Sequence, residues 1–328
     1  MKFIRLHTTD PYYNLAVEEY LFTHTEDDVF MLWQNDRTVV IGKNQNAYAE
    51  LDLALAREKG IRVARRITGG GAVYHDMGNL NYTYISTRTS GEGIDFATFS
   101  EPIVHVLSSF GVRAELSGRN DLLVDGKKIS GNAQHAVGER VLHHGTLLYD
   151  SDLSMLSSVL RVDPEKLSAK AIRSVSSRVM NLCTVLPLAG GVDELAEKIL
   201  HALMQRMDGC LSEAPKGEEI LSLAARNASE EWLFPKRPYL SGYSVTGKKR
   251  YPFGSVEVTA EMCGEVIKEI HLCGDFFGTS PIGELEERLR GAVRDEIADR
   301  LRGVAVGSFV MGMTAEELAE LITEVMQA

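Results

Sequence analysis

Arg65-Arg66-Ile67-Thr68-Gly69-Gly70-Gly71-Ala72-Val73-Tyr74-His75-Asp76 (residues 65–76) sets two cations and a hydroxyl before three consecutive glycines, then a short alternating run. Glycine reaches positive φ and leaves the backbone bare, so a triplet beside arginines can turn successive N–H groups toward an oxyanion. The stretch is not a P-loop, because no Gly-Lys-Ser/Thr follows and no long helical pattern opens after the glycines. Its spacing does not match G-x-G-x-x-G either. A glycine-rich hairpin tip is the plain alternative. The paired arginines favour an anion cradle over it.

Working outward, 61–66 reads as a strand that delivers the loop, entered from a helix that starts near Asp52 and stops at Gly60. Asp10 is an N-cap with Pro11 at the first helical position, and Leu15, Val17, Tyr20, Leu21 and Phe22 form the apolar side of the helix that follows. Strands are expected at 29–33, 38–41 and 80–86, with a helix at 98–110 closed by Gly111. Strands at 121–124, 127–137 and 141–149 come next. Asp125-Gly126 signals a type I′ hairpin between the first two, and Gly138-Glu139 marks the next reversal. From 152 to 232 the pattern is mainly helical. Hairpin-linked strands alternating with helices predict an α/β or α+β domain on a mixed sheet, without a regular βαβ repeat.

Composition shifts at Pro235-Lys236-Arg237-Pro238, and the basic stretch Gly247-Lys248-Lys249-Arg250 leads into new strands at 254–262 and 266–276, then helices near 282–290, 293–301 and 314–326. We therefore divide the chain into 1–243 and 244–328, the second a small α+β unit of a size that folds alone. The 328 residues, 44% hydrophobic, can bury a substantial core. No window reaches the ~18 apolar residues of a membrane span, which points to a cytoplasmic protein. Cys183, Cys210, Cys263 and Cys273 form no C-x-x-C pair, so neither a disulfide framework nor a zinc knuckle is expected. A net charge of −11 disfavours general nucleic-acid binding, which needs a broad basic face. Anion recognition is then local.

The second informative cluster runs from Ser117 to Gln134. Strict alternation places Lys128, Ser130 and Asn132 on one face, where a fixed charge, two hydrogen-bonding groups and the bare Gly131 could line a pocket. The alternative is a hairpin with a solvated lysine pair. His143 and His144 are adjacent in a strand and so point to opposite faces. That makes them a poor metal pair, and one core and one pocket histidine is the expectation.

These segments together resemble the lipoate–protein ligase family: RRITGGGAVYHDMGNLNYTYI at 65–85, GRNDLLVDGKKISGNAQ at 118–134, HHGTLL at 143–148, AKAIRSVSSRV at 169–179 and GDFFGTSPIGELEERLRG at 274–291. The resemblance implies a catalytic domain of the class shared with biotin–protein ligases and class II aminoacyl-tRNA synthetases, followed by an accessory domain. It implies two steps, adenylation of lipoate by MgATP and transfer of the acyl group to a carrier lysine. The implied carriers are lipoyl domains of 2-oxoacid dehydrogenase complexes and the glycine cleavage carrier protein. Arg66, Gly69, Gly70, Gly71, Ala72, Val73 and Tyr74 match nucleotide or adenylate positions, and Lys128 matches the essential lysine, touching both nucleotide and lipoate. His75, Asn81 and His144 resemble lipoate-pocket positions, and Asp121 is a site for Mg²⁺ or the ribose. The sequence does not choose between lipoate and octanoate.

One residue departs from the family pattern: Ser176 stands where an arginine is expected. Two rival readings are an octanoyl or lipoyl transferase that forms a Cys183 thioester without ATP, and a non-catalytic module that binds lipoate or its carriers. The apolar context of Cys183 argues against the first. Retention of Arg66 and Lys128 argues against the second.

Overall fold

The computed structural model describes residues 1–87, 94–118, 120–161, 178–235 and 245–327. Ser176, most of the segment 169–179 and the boundary at 243/244 lie outside the described residues.

A large mixed sheet forms the frame. Its strands are β1 (Lys2–Arg5), β2 (Val29–Trp33), β6 (Asn79–Thr87), β7 (Glu115–Ser117), β8 (Asp121–Val124), β9 (Lys127–Val137), β10 (Arg140–Leu148) and the two-residue β11 (Cys210–Leu211). They lie in the order β11-β1-β2-β6-β10-β9-β8-β7. Only the β11–β1 and β1–β2 pairs are parallel, the rest of the sheet being antiparallel. A second sheet joins β3 (Thr38–Ile41) to β4 (Arg62–Arg65) on one side and to β5 (Val73–His75) on the other. β4 and β5 flank the glycine loop, so this small sheet aims the loop at the large one. Helix Pro11–His24 starts as expected, with the Asp10 carboxylate accepting the Tyr12 and Tyr13 N–H groups at 2.8 and 3.0 Å.

The two faces of the large sheet have different tasks. One packs Phe3, Phe30, Leu32, Tyr82 and Leu122 against helices Phe96–Ser109 and Gly191–Arg206. The other carries Trp33, Asn81 and Thr146, which are register neighbours across β2, β6 and β10. The Asp125-Gly126 turn has φ of 50° and 73°, the left-handed pair that a type I′ hairpin requires.

One expectation from alternation fails. Ser130 pairs with Leu122, but Lys128 pairs with Leu123, so Ile129 is the extra residue of a β-bulge. Ile129 goes into the core, fully buried. Lys128 therefore moves off the face that Ser130 and Asn132 share, and its Nζ comes to lie over Gly131. A bulge that re-aims one side chain beside a site is a recurrent use of this irregularity.

The tail folds on its own core. Strands β12 (Val245–Tyr251), β13 (Gly254–Cys263) and β14 (Val266–Gly274) form an antiparallel sheet covered by helices Ile282–Leu289, Ile297–Leu301, Val306–Phe309 and Ala315–Gln327. β1, β7, β11, β12 and the short helices Ala47–Glu50 and Val306–Phe309 were not anticipated from the sequence.

Candidate active site

Between the large and small sheets lies a pocket lined by both informative segments. Its wall includes Arg66, Gly70, Gly71, Ala72, Val73 and His75 from the loop and β5, Trp33 and Asn81 from β2 and β6, and Lys128, Gly131 and His144 from β9 and β10. Of the residues singled out by sequence, Gly69, Tyr74, Asp121 and Ser130 do not line it, whereas Asn132 does. Tyr74 packs into the small-sheet core beside Val39 and Ile41, and burial raises its phenol pKa.

The two arginines part company. Arg65 is 3% exposed and donates to the carbonyls of Gly42, Lys43 and Gln45, and from its other nitrogens to those of Trp232 and Leu233. It ties β4 to a helix more than 160 residues away. Its place in the anion cradle is thus taken by structure. Arg66 lines the pocket, yet its guanidinium is also buried: Nε donates to Thr68 Oγ1 at 2.9 Å, Nη1 to the Val40 carbonyl at 3.1 Å, and Nη2 to the carbonyls of Gly69 and Gly71 at 2.6 and 2.8 Å. An unpaired guanidinium here would be costly, and these carbonyls offset that cost while fixing the loop around the charge. Burial pulls both arginines down to about 10, still far above neutrality.

The glycine triplet meets the tail domain. A side chain at Gly69 would strike the Phe276 carbonyl, and the Gly70 N–H donates to that same oxygen at 3.2 Å. The fully buried Phe277 ring packs against Gly70 and, edge-on, against Phe96. Close backbone approach is thus one reason for glycine here, and the approaching group is protein.

Lys128 is held differently. Its Nζ lies 2.8 Å from Asp121 Oδ1, and both side chains are about one-third exposed, at 32% and 37%. Its backbone N–H donates to the Arg178 carbonyl at 2.7 Å, so residues 178–180 brace the strand at the lysine. Asp121 is a single carboxylate, and no group of three or more metal-ligating side chains occurs among the described residues.

The histidines divide as expected. His143 is fully buried among Tyr82, Phe96 and Phe99, and desolvation lowers its pKa to about 3. His75 is buried in the pocket wall, and desolvation, reinforced by Arg66, lowers it to about 3 as well. Asn14 Nδ2 donates to Asn35 Oδ1, which turns Asn35 Nδ2 toward His75 Nδ1 at 3.1 Å. His75 Nε2 then carries the proton, and it has no partner among the described residues. Asn81 Nδ2 is likewise a buried, unpartnered donor on this pocket. Two orphan donors in one wall call for an acceptor from a ligand.

Two members of the site were missed by sequence. Glu18, 1% exposed, accepts from His144 Nδ1 at 2.9 and 3.0 Å, and Thr68 bonds His144 Nε2 at 2.9 Å. The available signal was an acidic residue in the apolar stripe of its helix, in step with Leu15 and Phe22. Cys183 lies outside the pocket wall, and burial together with Asp150 raises its thiol pKa, which disfavours a thiolate.

Residues 10–204 match the lipoyl protein ligase A/B catalytic domain and residues 241–322 the bacterial lipoate protein ligase C-terminus. The lipoate-protein ligase LplJ of Bacillus subtilis is 37% identical over 324 residues, covering 95% of this chain and 97% of that protein. Two solved structures are also similar. A bi-partite lipoate protein ligase from Thermoplasma acidophilum, studied with its E2 lipoyl domain, superposes with a TM-score of 0.63 at 30% identity, covering 71% of this chain and 95% of that one. A lipoate-protein ligase A bound with ATP gives 0.60 at 28% identity, covering 71% and 98%. The chain belongs to the lipoate–protein ligase family, and it is an enzyme of that class. No helix among the described residues is long and apolar enough to cross a membrane.

Proposed function

We propose that this enzyme activates lipoate with ATP and passes the lipoyl group to a lysine of lipoyl carrier domains, those of 2-oxoacid dehydrogenase complexes and the glycine cleavage carrier protein. The observation that carries the reading is the convergence of Arg66, the Gly70–Gly71 backbone and Lys128 on one pocket with two unpartnered donors, His75 and Asn81. In the first step the lipoate carboxylate attacks the α-phosphorus, a P–O bond forms and the bond to pyrophosphate breaks. In the second, a carrier amine attacks the acyl carbon and loses a proton as AMP departs with its oxygen. Both reactants of the first step are anions, so a cation able to reach carboxylate and phosphate together lowers their repulsion and orients the attack. Lys128 has that reach once its ammonium turns from Asp121, because the pair is partly solvated and weakly held.

His75 Nε2–H and Asn81 Nδ2 give the ligand its hydrogen bonds, while Leu15, Val40 and Val73 supply apolar wall for an acyl chain. Asp121 stands beside the pocket, paired to Lys128, and would supply one carboxylate to a Mg²⁺ that arrives with the nucleotide, an ion that needs only one or two carboxylates when phosphates complete its shell. Bound there, it would neutralise phosphate charge. ATP–pyrophosphate exchange that depends on lipoate tests the reading, and its absence from the wild-type protein contradicts it. ATP bound to a 28% identical relative and a lipoyl domain studied with a 30% identical one support the choice of substrates.

A further inference from the structure

Glu18 sits in the interior, 1% exposed, and two hydrogen-bond chains end on it. One starts at the loop: Arg66 Nε donates to Thr68 Oγ1 at 2.9 Å, Thr68 Oγ1 lies 2.9 Å from His144 Nε2, and His144 Nδ1 lies 2.9 Å from Glu18 Oε1. The other starts at the pocket wall, where Trp33 Nε1 donates to Thr83 Oγ1 at 2.9 Å and Thr83 donates to Glu18 Oε1 at 2.6 Å. Donor parity gives the first chain a direction. The Thr68 oxygen already accepts from Arg66, and its one hydrogen is directed to His144 Nε2, which must then be bare. The single ring hydrogen then sits on Nδ1 and donates to the carboxylate. A doubly protonated or Nε2–H imidazole would set two donors on Thr68 and leave the threonine hydrogen without an acceptor.

The arrangement has the outline of a nucleophile–histidine–carboxylate triad, but Thr68 is fully buried and absent from the pocket wall, so its oxygen does not meet substrate. We propose instead that Glu18, His144 and Thr68 form a positioning relay, which fixes the Arg66 guanidinium and with it the glycine loop. Glu18 and Thr68 are positioning residues, each acting through another group. The same carboxylate holds Trp33, so it sets the register between the acyl wall and the nucleotide loop. The activity test of the relay rests on the adenylation reading, and its spectroscopic test needs only the hydrogen bonds.

Thr68→Val keeps shape and removes the hydroxyl, while Thr68→Ser keeps the hydroxyl. The relay predicts that Thr68→Val lowers the turnover of lipoate-dependent pyrophosphate exchange between about 10- and 100-fold, the scale of a slightly misplaced reacting group. The KM for lipoate should stay within about threefold, and Thr68→Ser should restore turnover to within about threefold. Equal turnover in the valine and serine variants overturns the relay. Independently, ¹⁵N imidazole shifts of His144 at neutral pH should show a single proton on Nδ1 in the wild-type protein and loss of that preference in Glu18→Gln. An Nε2–H or doubly protonated ring in the wild type also overturns it. If the wild type gives no exchange, the adenylation reading fails, and the imidazole shifts alone decide the relay.

Discussion

The glycine loop and the lysine hairpin supply the two halves of one pocket and are held in opposite ways. On the loop side the cation is buried and donates to Thr68 Oγ1 and to the backbone carbonyls of Val40, Gly69 and Gly71 that surround it. Phe276 and Phe277 of the tail domain close over that backbone. On the hairpin side the cation is one-third exposed and bound to a single carboxylate. A fixed frame is suited to holding a nucleotide, whereas a lysine that must follow charge from carboxylate to phosphate needs freedom. The contrast also separates Arg66 from Arg65, which is as buried but serves only the frame.

Breaking the mobile half should have the largest effect. Lys128→Ala is expected to lower lipoate-dependent exchange by about a thousandfold or more, the scale of losing a charge-stabilising group, with an unchanged circular dichroism spectrum. Folding should survive because the ammonium is partly solvated and its pair with Asp121 adds little. An alanine variant that retains exchange separates Lys128 from the chemistry.

Breaking the frame comes next. Phe277→Ala removes a ring that seals the tail domain on the loop, at a cost of about 3 kcal/mol if the gap does not collapse. The carrier lysine must reach an intermediate that water should not, so we expect the small domain to rotate between adenylation and transfer. Scattering curves should change when a stable adenylate mimic binds, and Phe277→Ala should shift the free protein the same way. Superposable curves with and without the mimic contradict the rotation.

A smaller effect follows from the buried histidines. His75 and His143 have folded pKa values near 3 against an unfolded value of 6.5, so the unfolded chain binds more protons as the pH falls below 6.5. Stability contributed by neutral burial is complete above 6.5 and is lost progressively toward 3. At pH 5 each should cost about 2 kcal/mol, read as a falling urea midpoint. His143→Phe should flatten that slope, and an unaltered slope counts against burial as its source. Smallest of all, Cys183→Ser should leave exchange and transfer within about twofold, since the thiol lies off the pocket.

How much of this was legible in the chain depended on whether the signal was local. Asp10 with Pro11, and Asp125 with Gly126, announce a helix start and a tight turn through their own conformational preferences, and both formed where expected. The two histidines divided as strand geometry requires. The bulge at Ile129 escaped because it is set by which side chain the core accepts, which alternation does not encode. Arg65 and Arg66 are the same residue type one position apart, and only the packing of residues 230–233 shows which is tied down. Glu18, beside Glu19, reads as part of a solvated pair. Its partners Thr83 and His144 lie 65 and 126 residues away, and the sole hint was its place in an apolar stripe.

The decisive measurement is lipoate-dependent exchange of labelled pyrophosphate into ATP by the purified 328-residue protein. Wild-type protein should show exchange that requires lipoate and disappears in Lys128→Ala. No exchange in the wild type, with acyl transfer that proceeds without ATP and stops in Cys183→Ser, would contradict it.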